Sequence, residues 1–464
     1  MREAYRHRTA QGVWINDMRH EGMPGAAWPC EVFDDQTVND LIGCLELQHR
    51  CGFNAFSIFG LLTTYGWPVD LATVADEARR RRVKQVLDAA HQRDIKVLYG
   101  LGVYSWGFDE IIEADRKVRG TNHHAMCASS AQSWKWMKKV VDFVCDRYDV
   151  DGFHLEPADQ GRCSCASCIK QGDIEYFCRI SRRTAQYIRS RWPQKKLMVN
   201  MCGFMRQRTI LERRARQVVA DELEHLIELG NEIDFLIDPG HAGTYIPTDL
   251  RTDLLDSLAC DFGTSGGLWV YPPQAWDRLR WFLPHPMQTA KLLKDLYHAG
   301  ARAIEYYMGP TVNPGVEMNI AFGGHILSDI NGDANDILKQ VIEMLYKPRN
   351  QADSEHLAEI FCRAEHAYFD QWSPQMKFPF GRRGEMHLQP LWDPEGPVCY
   401  LAEDFQSGDP LMDRAGRLAY KDQLQQLLPE VEQLDGRFDD DGRIGRIGVC
   451  IKNVLTDIDT FTTL

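Results

Sequence analysis

Eight short apolar runs, most of them separated by stretches of helical periodicity, limit what this chain can fold into. They occupy residues 12–17, 53–60, 95–103, 150–155, 196–202, 233–238, 267–271 and 301–307. Helical spacing of apolar residues recurs over 34–50, 76–93, 133–147, 174–191, 216–229 and 288–299. Near-continuous apolar strands alternating with helices predict a parallel sheet covered on both faces, and eight of them favour a closed (β/α)8 barrel over an open sheet. After residue 332 the alternation stops. Residues 333–346, 354–372 and 411–434 read as helices, 373–398, rich in Pro, Gly and aromatics, as an ordered loop, and 442–464 closes the chain. The expected organisation is a catalytic barrel over 1–332 with a mainly helical domain over 333–464 packed on it.

Charge and composition exclude several roles. The net charge of −13 argues against a nucleic-acid partner, because phosphate binding needs clustered Lys and Arg. The dense basic run Arg79 to Arg82 falls inside a helical segment and reads as a solvated face. No apolar run approaches the ~18 residues that span a bilayer, so no membrane partner is expected. Residues 1–14 lack the apolar segment of a secretory signal. Fourteen cysteines in 464 residues do not make a small disulfide framework; Cys44, Cys51 and Cys145 sit among apolar helical neighbours as small hydrophobes. A reducing, cytoplasmic setting is the expectation, and a homo-oligomer is left open.

Residues 150–168 concentrate the polar chemistry. Alternation along a strand puts His154 and Glu156 on one face and Phe153 and Leu155 on the other, so in a barrel the polar pair points inward at the mouth. Around that mouth the strand ends and following loops offer further candidates. Glu156 and Asp159 are the leading catalytic carboxylates and Asp238 the reserve. Asn16, Asp17, Tyr104, Trp106, His154, Asn200, His241, Tyr271 and Tyr306 would bind substrate, and Arg162 and Arg206 are available for an anionic glycan. Glu305 falls within its strand and reads as a layer residue paired with an arginine. Carboxylates, amides, imidazoles and aromatic faces together suit glycosidic-bond chemistry, in which one carboxyl protonates the leaving oxygen while another acts as nucleophile, activates water or steadies positive charge. An oligosaccharide or glycoside is the substrate this implies, with no cofactor required for catalysis.

The run Met126-Cys-Ala-Ser-Ser130, the helix to Tyr148 and the strand Val150-Asp-Gly-Phe-His-Leu-Glu156 resemble the third-to-fourth strand region of the glycoside hydrolase family 20 superfamily. There a Cys-Pro-Ser element precedes a helix and a strand reading His-x-Gly-Gly-Asp-Glu. The resemblance implies a barrel glycosidase and, read without gaps, sets Asp159 at the position of that family's acid Glu. Ala158 stands where the family has Asp, so its substrate-assisted chemistry does not carry over. Asp159 followed by Cys163, Cys165 and Cys168 also resembles a pattern in uncharacterised barrel proteins related to bacterial α-glucuronidases, as does the helical segment 331–372.

Cys163, Cys165 and Cys168 have the short spacing of a structural Zn2+ site, with Cys127, Cys178 or Cys202 as a fourth ligand; a local disulfide or reduced thiols bracing the loop are the alternatives. Two other functional classes fit the same barrel. One is a metal-dependent sugar isomerase or epimerase holding Mn2+ or Mg2+ on Glu156, Asp238 and His241. The other is a carbohydrate-binding barrel without turnover.

Overall fold

Strand alternation fixes the architecture. The computed structural model describes residues 3–12, 33–63, 66–158, 160–202, 204, 218–238, 246, 248–267, 282–307, 311–371 and 414–462. Within them β1 (His7–Gly12), β2 (Ala55–Ile58), β3 (Lys96–Gly102), β4 (Gly152–Glu156), β5 (Lys196–Asn200), β6 (Phe235–Asp238), β7 (Asp261–Gly267) and β8 (Ala303–Tyr307) pair in sequence order. Every neighbouring pair is parallel, and β8 closes on β1. The chain is a (β/α)8 barrel with a helical C-terminal region.

The two faces of the sheet differ in chemistry. Phe56, Ile58, Val97, Tyr99, Phe153, Leu155, Leu197, Val199, Leu236 and Ile304 alternate outward into the core shared with the helices. Ala55, Leu98, Met198, Phe235, Ile237 and Ala303 alternate inward as a separate apolar cluster. The other inward positions include Ser57, His154, Asn200, Ser265 and Glu305, all buried.

The outer layer is α1 (Asp35–Cys51), α2 (Glu77–His91), α3 (Asp109–Ala114), α4 (Ala131–Arg147), α5 (Asp173–Arg191), α6 (Leu223–Gly230), α7 (Thr248–Ser257), α8 (Pro286–His298) and α9 (Pro314–Ser328). Side-chain caps set several starts: Asp34 accepts from Thr37 N, Asp76 from Arg79 N, and Ser130 from Gln132 N. α1 stops at Gly52, whose φ of +88° and closeness to Ser328 admit no side chain.

The closed barrel is pinned at its N-terminal end by a motif that recurs before β2, β4 and β6. The residue before β2, β4 and β6 reaches back to the preceding strand: Asn54 accepts from Arg8 N, Asp151 from Val97 N, and Asp234 from Leu197 N. His91 approaches Asp151 at 2.9 Å, while Arg189 and Lys196 hold Asp234. These carboxylates sit opposite the mouth and serve stability.

Beyond α9 follow α10 (Ala334–Tyr346), α11 (Gln351–Phe369), α12 (Arg414–Gln433) and α13 (Arg443–Thr462). α9 touches α1 and α8 on the barrel side and α10 and α13 on the other, which leaves nearly all its residues buried. Arg443 at the start of α13 grips the buried Glu317 of α9 through Nε and Nη2, both at 2.8 Å.

Two strands are not where the apolar runs put them. The first is 7–12 rather than 12–17, and the seventh 261–267 rather than 267–271. Their sequences, HRTAQG and DFGTSGG, place polar or small residues on the inward row and so do not read as apolar. α9 was not anticipated either, because a helix buried all round has no amphipathic stripe. No helix among the described residues is long and apolar enough to cross a membrane.

Candidate functional site

Ser57, His154, Asn200, Ser265 and Glu305 come from five strands and form one polar floor inside the barrel. Ser57 Oγ lies 2.8 Å from His154 Nδ1. Glu305 Oε1 lies 3.5 Å from the same nitrogen, and Glu156 Oε2 lies 3.6 Å from Nε2. The ring of His154 therefore stands between two carboxyls. Asn200 Nδ2 donates to Glu305 Oε2, Ser265 Oγ donates to the same oxygen at 3.3 Å, and Asn200 Oδ1 accepts from Cys202 N at 2.7 Å.

Enclosure decides the charge of this floor. Burial pushes the Glu305 carboxyl up to about 8, against the pull of Ser265 and Asn200, and pushes the His154 imidazolium down to about 3. At neutral pH both are mainly uncharged, so the floor presents donors and acceptors rather than an ion pair. Thr9 Oγ1, Gln11 Oε1, His154 Nε2 and Glu305 Oε1 are buried there without a hydrogen-bond partner among the described residues.

Glu156 ends β4 at the mouth, only 5% exposed. Beside it the β3 loop takes an unusual path. Tyr104 and Trp106 have φ of +64° and +51°, the left-handed region that non-glycine residues adopt at a cost of ~1 kcal/mol or more. The path lays Trp106, half-buried, flat on Phe59, with ring centroids 4.5 Å apart and planes at 20°. Phe59 meets His154 edge-on at 5.0 Å and fills the space over Gly100, where an added Cβ would stand 2.3 Å from its ring. The Trp106 N–H donates to Gln160 Oε1 at 2.9 Å, tying the β3 loop to the β4 loop. A carboxyl and an aromatic pair thus share the rim.

Phe59 was not among the sequence candidates, although it has the inward parity of Ser57 two residues before it. Glu305 has polar partners from other strands and no arginine among those found, contrary to expectation. Tyr306 alternates outward, and its hydroxyl donates to Asn319 O of α9 at 2.6 Å; it is core, not a substrate ligand. Tyr104 is also displaced from the mouth: its N–H meets Met137 Sδ at 3.3 Å, and its hydroxyl lies beside Arg183 of α5. Asp238 shares the outward row of Leu236 and accepts from Ile246 N at 3.3 Å, so it does not face Glu156 across the barrel. Asn200 is occupied as the strut of Glu305. Arg162 is buried, its Nε 2.9 Å from Asp173, and is committed to the loop rather than to an anionic glycan. Asn16, Asp17, Asp159, Arg206, His241 and Tyr271 lie outside the described residues.

The three loop cysteines do converge, and the fourth is Cys127. Its Sγ lies 3.7 Å from Cys165 Sγ and 3.9 Å from Cys168 Sγ, and the four sulfurs including Cys163 all stand within 4.8 Å of one another. Cys178 and Cys202 are not part of the group. Cys127 belongs to the loop between β3 and α4 and the other three to the loop between β4 and α5, the two loops that Trp106 and Gln160 also join.

No family model matches the chain, and no curated protein sequence matches it. Solved structures share its fold. A GH138 enzyme targeting pectin rhamnogalacturonan II has a TM-score of 0.57 at 10% identity, over 99% of this chain and 56% of that one. An O-GlcNAc hydrolase from Thermobaculum terrenum has a TM-score of 0.51 at 12% identity, over 99% of this chain and 84% of that one. CpGH84B gives 0.50 at 9% identity, over 99% of this chain and 68% of that one. This chain spans little more than half of the first. At such identities the likeness is one of fold, and the site must carry the functional argument.

Proposed function

We propose that the protein is a glycoside hydrolase in which Glu156 transfers the proton at the glycosidic oxygen. The observation that carries this reading is the position of Glu156: at the C-terminal end of β4, facing inward at the mouth, beside the stacked rings of Phe59 and Trp106, residues of the kind that pack on sugar rings. Active sites of (β/α)8 enzymes gather at that face. A cleaved glycoside needs a second carboxyl to act on the anomeric carbon or on water. Asp159, three residues along the loop, is the residue assigned to that role. Glu305 is not suited to it, because a buried carboxyl that keeps its proton near pH 7 is neither nucleophile nor base. Its part is to flank, with Ser57, the Nδ1 side of the neutral His154 imidazole, whose Nε2 lies 3.6 Å from Glu156 Oε2.

Two of the fold neighbours, an enzyme targeting pectin rhamnogalacturonan II and an O-GlcNAc hydrolase, support the reaction class by analogy. The substrate-assisted mechanism of family 20 is not part of the proposal, since Ala158 cannot supply the carboxylate that mechanism uses. A divalent cation shared by Glu156 and Asp238 is disfavoured, because the two side chains lie on opposite faces of the sheet. The test is turnover of aryl glycosides and natural oligosaccharides by wild type, Glu156→Gln and Asp159→Asn, each with and without a chelator. The reading expects metal-independent cleavage of at least one substrate and a loss of ~10²–10⁴-fold in folded Glu156→Gln. Activity that follows added Mn2+, or glycan binding without turnover, would overturn it.

A further inference from the structure

The geometry points to a structural zinc site formed by Cys127, Cys163, Cys165 and Cys168, which staples the β3 loop to the β4 loop beside the candidate active site. Four sulfurs each ~2.3 Å from one tetrahedral centre stand ~3.8 Å apart. The separations of 3.7 Å and 3.9 Å match that edge, and no pair in the group exceeds 4.8 Å. A disulfide needs its sulfurs at ~2.05 Å, and it joins only two of them. Here one residue converges on three from a remote loop, an arrangement for a four-coordinate ion.

The surroundings suit thiolate ligands. A zinc ion on four thiolates carries a net charge of −2, which nearby donors must spread. Cys165 N donates to Cys163 Sγ at 3.4 Å, Ser129 Oγ stands 3.2 Å from Cys168 Sγ, and Thr121 Oγ1 stands 3.8 Å from Cys163 Sγ. Cys163 and Cys168 are fully buried, Cys127 nearly so, and Cys165 half-buried. Gly120 lets the chain pass close: a Cβ there would lie 2.4 Å from Cys163 Sγ. All four ligand positions are filled by protein, so the ion would have no open position for Lewis-acid chemistry and would act as a brace. What it braces is the rim, because Gln160, which receives the Trp106 N–H and accepts from Asn122 through its own carbonyl at 2.8 Å, lies in the stapled loop.

The experiment is metal analysis of the full chain purified without added chelator. One zinc per chain is expected, with an X-ray absorption fit to four sulfurs at ~2.3 Å. Replacement by Co2+ should give the intense visible bands and thiolate-to-cobalt charge transfer of a tetrahedral all-sulfur site. Cys127→Ser and Cys165→Ser should each lower zinc retention at least tenfold in a competition with a chelating dye. Should these variants fail to fold, the wild-type absorption and cobalt spectra decide the question. A reduced wild-type chain that takes up no more than trace zinc or cobalt, or a first shell with nitrogen or oxygen ligands, would overturn the proposal. None of these readouts depends on glycosidase activity.

Discussion

Replacing Glu305 by Gln should change how stability depends on pH, in a direction and size that follow from its burial. The carboxyl titrates near 4.5 when the chain is unfolded and at about 8 in the folded barrel. The native state therefore holds a proton that the unfolded state has released between those values. Its contribution to stability is fully present below pH 4.5 and is lost as pH rises towards 8. Each pH unit in that window removes roughly 1.4 kcal/mol, so between pH 6 and pH 8 wild type loses roughly 2 kcal/mol through this group. His154, depressed from 6.5 to about 3, works in the opposite sense: its contribution is present above 6.5 and is lost as pH falls towards 3. Glu365 (raised to about 7) and His285 (lowered to about 3), also buried, add to the same two limbs. A difference between wild type and Glu305→Gln cancels those other groups. Gln keeps an oxygen for Asn200 and Ser265 and, like the protonated acid, offers a donor, so the two proteins should match closely at pH 5. By pH 8 the variant should be the more stable. Urea unfolding followed by tryptophan fluorescence at pH 5, 6, 7 and 8 measures it. Parallel curves from pH 6 to 8 would show that Glu305 is already ionised in the fold and would refute the reasoning.

Gly100→Ala should force the Phe59 ring from its place and unseat Trp106. The expected result is a several-fold rise in KM for glycosides with kcat far less affected, checked by steady-state kinetics on the substrates found to be cleaved. Arg443→Ala leaves the buried Glu317 carboxylate without its two-point partner. Since Arg443 is itself partly exposed, the cost should be roughly 2–4 kcal/mol, measured as a fall in thermal or urea midpoint, with Arg443→Lys recovering only part.

The sequence carried the fold wherever a strand kept an apolar outward row, as in β2 to β6 and β8, even where the inward row was polar. It hid β1 and β7 because Arg8 and Thr264 interrupt their outward rows while Thr9, Gln11, Gly263 and Ser265 fill the inward ones, so that neither row reads as apolar. The site divided along the same line. Parity placed His154 and Glu156 inward from one strand alone, and the same count from Ser57 would have reached Phe59. In β8, Glu305 and Tyr306 cannot both face the axis; choosing between them requires the register with β1 and β7, which pairs Glu305 with Thr9 and Ser265. Asp238 was misplaced for a related reason: a polar residue at a strand end need not lie on the inward row. Tyr104 has the inward parity and was misplaced because the strand ends at Gly102 and the chain turns through a left-handed conformation at Tyr104. The Cys-x-Cys-x-x-Cys spacing announced a cluster, but which of three remote cysteines completed it depended on how two loops meet.

The account stands most directly on proton donation by Glu156, and the dependence of turnover on the leaving group tests that. Once a cleaved sugar is known, kcat/KM for Glu156→Gln and wild type should be compared on its alkyl and dinitrophenyl glycosides. An activated phenol leaves without a proton, so the variant should lose ~10²–10⁴-fold on the alkyl glycoside and far less on the dinitrophenyl one. Equal losses on both, or no loss on either, would contradict the role assigned to Glu156.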